Sequence, residues 1–152
     1  MRLNTIISGG QTGVDRAALD IAIELNISHG GYCPLGRKAE DGIIPMKYKL
    51  IELESALYAD RTMKNVVSSD GTLILHSGII TNGTTLTKEF CIKENKPLII
   101  INIFDVSKTS RLNFTDWLKE NSINILNVAG QRESEKGNYE IAKQVLYQLL
   151  ME

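Results

Sequence analysis

A chain of 152 residues, 23% charged and 43% hydrophobic, has the composition of a soluble globular protein and the length of one domain, expected to span 1–152. Its formal net charge of −1 offers no global attraction to nucleic acid or to an anionic membrane, so neither is an expected partner. The longest apolar run, Pro97 to Phe104, is broken by Asn102 and is too short to span a bilayer.

The N-terminus enters a strand without a basic segment, an apolar stretch and a cleavage site. Cys33 and Cys91 are isolated, with no C-x-x-C pair. Both features point to a cytoplasmic chain without structural disulfides.

In chain order, Thr5-Ile6-Ile7 reads as a short buried strand, and Val14, Ala18, Ile21, Ala22 and Leu25 then recur at helical spacing. The stretch joining them, Ser8-Gly9-Gly10-Gln11-Thr12-Gly13-Val14-Asp15-Arg16, is a glycine turn into a helix start. Thr12 is the expected N-cap and Asp15 its capping-box partner. A second short strand is expected near His29 to Tyr32, followed by the charged loop Gly36–Gly42. Leu50, Leu53 and Leu57 form a helical stripe or line a long loop, and an ordered loop of that length, 36–57, is more often a functional lid than a passive connector.

A helix is predicted over Ala59 to Ser68, with Ala59, Met63, Val66 and Val67 on one face. Thr72–His76 is a buried strand and Gly78–Thr85 a second glycine turn, leading to a helix that buries Leu86, Phe90 and Cys91. Leu98–Ile103 is an almost uninterrupted apolar strand of the kind parallel sheets use. A short helix over Asn113–Asn121 packs Trp117 and Leu118 inward, a strand follows over Ile123–Ala129, and the last helix covers Asn138–Leu150. Alternation of this kind predicts an α/β three-layer sandwich with a mainly parallel sheet of about five strands.

Such sheets bind ligands beyond the carboxyl ends of their strands. That edge gathers four segments: Gly9–Arg16, Cys33–Asp41 with the approach to Arg61, His76–Thr87, and Ala129–Ser134. Two of them are glycine turns that open helices, where free amides and the positive end of a helix dipole suit a phosphate. Neither is a G-x-G-x-x-G fingerprint or a P-loop.

The expected contacts with a small phosphorylated ligand are Gly9, Gly10, Gln11, Thr12, Gly13, Asn82, Gly83, Thr84, Thr85 and Thr87, with charge supplied by Arg16 and Arg61. A cation at Arg16 opposes the dipole of its own helix, which a bound anion would offset. Arg37, Lys38 and Arg132 are weaker candidates on the same side. Asp15 and Glu89 are the acids nearest the turns and the candidates for acid–base work, although capping already explains Asp15. His29 and His76 have no acid or nucleophile at an informative spacing, and no His/Cys cluster indicates a metal.

The first glycine turn, Gly31-Tyr32-Cys33-Pro34 with Gly36-Arg37, Tyr58…Arg61-Thr62…Asn65-Val66, Ser69-Asp70-Gly71-Thr72 and Asn82-Gly83-Thr84 together resemble the Putative molybdenum carrier family. That family lies within the SLOG superfamily of Rossmann-like domains, which also holds the Lonely Guy phosphoribohydrolases. The resemblance implies a Rossmann-like domain that often self-associates, so a homo-oligomer, binding a nucleotide-like or phosphorylated ligand at its glycine turns. For the carrier family that ligand is proposed to be the molybdenum cofactor, a pterin with a phosphate group.

The phosphoribohydrolase pattern P-G-G-x-G-T-x-x-E is incomplete here. Aligning Gly83-Thr84 with its G-T puts Thr87 where the glutamate would stand, with Glu89 two residues further on. A binding protein is therefore the expected function, and hydrolysis of a nucleoside monophosphate the alternative.

Overall fold

Short runs of Ile, Leu and Val, each closed by a glycine, an asparagine or a turn, pair side by side into one parallel sheet. The computed structural model describes residues 3–78 and 80–151. Its main strands are β1 (Thr5–Ile7), β2 (Ser28–Gly30), β3 (Gly71–His76), β4 (Leu98–Asn102) and β5 (Ile125–Gly130). All pairings among them are parallel, in the order β2-β1-β5-β3-β4, with Thr5 opposite both Ser28 and Ile125 and Thr72 opposite both Asn127 and Leu98. Five helices flank the sheet: α1 (Val14–Glu24), α2 (Tyr58–Ser68), α3 (Asn82–Lys93), α4 (Lys108–Glu120) and α5 (Tyr139–Leu150). Helix α5 packs on α1 and α4, and α2 packs on α3. The fold is an α/β, Rossmann-like arrangement.

The strand order carries information. A standard dinucleotide-binding sheet begins 3-2-1-4-5. The order found here is that series with each number lowered by one and the first strand moved to the end of the chain. The central strand, β5, is therefore the last to be made. Between β5 and β3 the connections leave in opposite directions, which is where α/β sheets open a crevice.

The main core lies between the sheet and the α1–α5–α4 layer, where Ile6, Leu73, Leu75, Leu126 and Val128 meet Ala18, Ile21, Phe114, Ala142 and Leu146. A smaller apolar group, Leu19, Cys33, Ala39, Ile44 and Tyr48, sits on the other side of α1. It fastens the segment 36–57, which is neither a helix nor a free loop. Lys38–Ala39 and Gly42–Ile43 form an antiparallel pair, and Ile51–Glu52 pairs in parallel with Tyr32–Cys33.

Several boundaries differ from the sequence expectation, each for a tertiary reason. The strand expected to run from His29 to Tyr32 is cut at Gly31 (φ 127), whose missing Cβ would lie 2.1 Å from the Ser8 carbonyl oxygen. The Thr12–Asp15 capping box does not form: α1 is capped by Gly13 at φ 80, with no side-chain cap. Gly13 is pressed against the chain that follows β5, where a Cβ would lie 2.5 Å from the Gln131 carbonyl oxygen. Thr12 instead donates to Glu40 and accepts the Glu133 amide at 3.1 Å, while Asp15 accepts the Gln11 amide at 3.2 Å.

Helix α4 starts before Asn113 because Ser107 and Ser110 form a reciprocal capping box. Helix α3 starts at Asn82, so the residues expected as turn form its first helical turn; Thr84, Thr87 and Cys91 are buried, while Leu86 and Phe90 are half-buried. Helix α2 buries Arg61, Asn65 and Val66, whereas Met63 and Val67 are exposed. Ile79, inside the second glycine turn, lies outside the described residues, as do Met1, Arg2 and Glu152.

Candidate functional site

Beyond the carboxyl ends of β1, β5 and β3 lies a cavity of about 430 Å³. The turn after β1 supplies Gly9, Gln11 and Asp15, and α2 supplies Arg61, Thr62 and Asn65. The start of α3 supplies Thr81, Asn82, Gly83 and Thr87, and the end of β5 runs along it from Asn127 to Arg132. This is the crevice at the switch point between β5 and β3. The two glycine turns face one space.

They do not play the same role. In the first turn four amides are engaged: Gly10 N–H donates to Ser8 Oγ (3.3 Å), Gln11 N–H to Asp15, Thr12 N–H to Gln11 Oε1 (3.1 Å) and Val14 N–H to the Gln131 carbonyl (3.3 Å), while those of Gly13, Asp15 and Arg16 meet no acceptor among the described residues. In the second, the Asn82, Gly83 and Thr84 amides open α3 without an acceptor among the described residues, and Thr85 N–H is the first to be bonded, to Thr81 O at 3.0 Å. The helix dipole adds a positive partial charge at that point. Asn82 and Gly83 line the cavity, whereas Gly13 and Arg16 at the start of α1 do not. Thr87 Oγ1 donates to the Gly83 carbonyl at 3.0 Å and so adds no free donor to that turn.

Arg61 is the charged group of the cavity and is 7% exposed. Its Nη1 donates to the Gly9 carbonyl at 3.0 Å and lies 4.0 Å from Asp15 Oδ2; its other guanidinium N–H groups meet no acceptor among the described residues. Burial pulls the Arg61 pKa down and the Asp15 charge opposes it. Burial pushes the Asp15 carboxyl up to about 6, against the pull of Arg61, the Gln11 amide and Arg16. Three cations from three segments also gather on one ring: Lys38 Nζ stands 4.4 Å from the centre of Tyr58, and the guanidinium carbons of Arg61 and Arg132 each 5.2 Å from it. Glu135, 3.5 Å from Arg132, is the acid on that side.

Of the residues expected at the site, the structure brings Gly9, Gln11, Asp15, Arg61, Asn82, Gly83, Thr87 and Arg132 to the cavity wall. It does not bring Gly10, Thr12, Gly13, Arg16, Thr84 or Thr85 there, nor any residue of 36–57. Arg16 is held on the far side of the first turn. Its Nε donates to the Gly10 carbonyl at 3.1 Å, and its two terminal nitrogens take both carboxylate oxygens of Asp41 at 2.5 and 2.7 Å, which keeps the Asp41 carboxyl below its usual range.

Arg37 donates to the carbonyls of Ile44, Pro45 and Tyr48, pinning the 36–57 segment. Glu89 is exposed on α3, away from the cavity. His29 and His76 accept the backbone amides of Lys49 and Gly78. Among the described residues, no group of three His, Cys, Asp or Glu side chains could hold a metal ion.

Sequence reasoning missed Asn65, Asn127 and Gln131. Asn65 makes both hydrogen bonds to the Tyr32 backbone, at 2.9 and 3.0 Å, and Asn127 Nδ2 donates to Thr72 Oγ1 at 3.2 Å. The signal was present in the second case: Asn127 is a polar residue inside an apolar strand, which a fully buried sheet admits only with a partner.

A model of the Circularly permutated YpsA SLOG family matches residues 6–150 of the chain. No curated protein matches it. It is 39% identical to a protein from Syntrophus aciditrophicus SB whose crystal structure carries the name Putative molybdenum carrier protein, with a TM-score of 0.93 over 99% of this chain and 96% of that one. No helix among the described residues is long and apolar enough to cross a membrane.

Proposed function

The chain belongs to the circularly permutated YpsA SLOG family, and from that premise we propose that it is a carrier whose cavity binds, without turning over, a phosphorylated ligand with a nucleotide- or pterin-like ring. The observation that carries this reading is the opposition of two unsatisfied donor sets across one crevice: the free amides of Asn82 and Gly83, and the buried guanidinium of Arg61. An anion bridging them gains charge-assisted hydrogen bonds of about 1.5–3 kcal/mol each. Asn82 and Gly83 leave space at the helix start, and nothing lies within 4 Å of where a Gly83 side chain would be.

The cargo this reading favours is the molybdenum cofactor, a pterin bearing a phosphate. The name of the similar Syntrophus aciditrophicus protein supports that choice. As part of the same proposal the chain acts in the cytoplasm as a single-domain homo-oligomer. Calorimetry with the molybdenum cofactor, GMP and AMP tests it: binding to the wild type that falls about tenfold or more in Arg61→Met supports the site, and unchanged affinity in that variant removes it.

One observation favours hydrolysis instead. Asp15 is a buried acid, titrating near pH 6, on the cavity wall. A carboxyl in that range is suited to general acid–base work. Thr87, at the position of the hydrolase glutamate, offers no such group. Free base released from nucleoside monophosphates by the wild type and not by Asp15→Asn would replace the carrier by an enzyme.

A further inference from the structure

Three cations from three segments converge on Tyr58, and their donors are almost all free. Lys38 Nζ lies 4.4 Å from the ring centre and the guanidinium carbons of Arg61 and Arg132 each 5.2 Å from it. A ring has two faces and holds an exposed cation only weakly, so cation–π attraction does not account for three. They repel one another instead: burial first, and the Arg132 charge after it, hold the Arg61 pKa down. Among the described residues the three side chains together make one hydrogen bond, that of Arg61 Nη1 to the Gly9 carbonyl.

The acids nearby leave those donors available. Glu135 stands 3.5 Å from Arg132 and Asp15 4.0 Å from Arg61, and neither contact is a hydrogen bond; Lys38 has no ion pair among the described residues. Glu40, which also feels the Arg132 charge, gives its oxygens to Thr12 and Ser134. Exposure rises along the row: Arg61 is 7% exposed, the Arg132 side chain 31%, and Lys38 is open to solvent. Arg61 and Arg132 line the cavity, and Lys38 continues the row outside it. Tyr58 is also the first residue of α2, so the positive end of that helix dipole lies at the same place.

We propose that Arg132 and Lys38 form a second anion subsite beside the first, so that the preferred ligand is a ring compound carrying a diphosphate. One phosphoryl group lies between Arg61 and the start of α3 and its neighbour between Arg132 and Lys38, with Arg61 common to both. The proposal rests on the phosphate site described above and adds a ligand class to it. A diphosphate joins two charged groups through one bridging oxygen, which suits adjacent cation sets; a monophosphate fills the first subsite alone. The guanidinium fork matches phosphoryl oxygens, and the lysine adds a point charge at the open end.

The test is calorimetry on the full chain in magnesium-free buffer, with the pairs GMP and GDP, AMP and ADP, and with GDP-mannose. In at least one pair the diphosphate is expected to bind the wild type about tenfold tighter than the monophosphate. Lys38→Gln and Arg132→Gln should each cut that advantage about threefold or more, Lys38→Gln leaving monophosphate affinity within about twofold. An advantage that GDP-mannose shares assigns the subsite to a substituted diphosphate, and one that it lacks assigns it to a free terminal one.

Diphosphates that bind no tighter than monophosphates overturn the subsite, as does an advantage unchanged in both variants. Failure of the phosphate reading looks different: monophosphates and diphosphates would bind Arg61→Met as tightly as they bind the wild type. No binding by any of these compounds would overturn both.

Discussion

Arg61 lies flat on Gly9. The guanidinium donates to the Gly9 carbonyl at 3.0 Å across a separation of 52 residues, and a Cβ at position 9 would stand 2.3 Å from Arg61 Cδ. The glycine is there for the arginine: the bare backbone gives the buried cation a floor and an acceptor together.

Gly9→Ala should therefore displace the Arg61 side chain rather than strain the turn itself. The expected result is a loss of about 1–3 kcal/mol in stability, from overpacking, and GMP binding weakened about tenfold. Urea unfolding and calorimetry on the same preparation check both, and wild-type affinity in Gly9→Ala would separate Arg61 from the ligand.

Asp15 makes stability depend on pH in a stated direction. Its carboxyl titrates near 6 in the fold against a reference of 3.8, so between those values the folded chain keeps a proton that the unfolded chain has released. The stability this provides is complete below the unfolded value and is lost as pH rises through the folded one, amounting to about 3 kcal/mol. Asn at this position does not titrate. Asp15→Asn should gain on the wild type by about 2.4 kcal/mol between about pH 4 and about pH 7.5, read from urea midpoints at the two values. Parallel stability profiles would mean that Asp15 is ionised throughout.

Arg16, in contrast, serves the scaffold. With its Nε on the Gly10 carbonyl and both terminal nitrogens on Asp41, it ties the first turn to the 36–57 segment. The Asp41 side chain is 47% exposed, so the pair is partly screened. Arg16→Ala should lower stability by about 1 kcal/mol and leave GMP affinity within about twofold. A larger fall in affinity would place Arg16 on the ligand.

The capping box of α4 offers a test of the fold away from the site. Ser107 Oγ accepts the Ser110 amide at 3.2 Å, and Ser110 Oγ accepts the Ser107 amide at 3.2 Å. Ser107→Ala should cost about 1 kcal/mol, seen as a lower thermal midpoint with ligand binding unchanged.

The amino-acid sequence by itself determined the class of fold and the sheet edge at which the cavity opens. The apolar run of Leu98–Ile103, the helical spacing of Ala142, Val145, Leu146 and Leu149, and the two glycine turns are local patterns, and burial periodicity is written locally. Local pattern failed where a side chain's partner is remote. Thr12 reads as an N-cap, yet its hydroxyl meets Glu133, 121 residues away; Arg16 reads as a free cation, yet it meets Asp41, 25 residues away. The inward face of α2 was misjudged because a helix beside a polar cavity buries Arg61 and Asn65 and turns Met63 and Val67 outward.

Only the tertiary structure decided which amides of the first turn stay free, because that depends on whether Ser8, Asp15, Gln11 and the Gln131 carbonyl reach those of Gly10, Gln11, Thr12 and Val14. Placing the last strand at the centre of the sheet did the rest: it set Gln131 beside Gln11, two residues whose nearness no window of sequence contains.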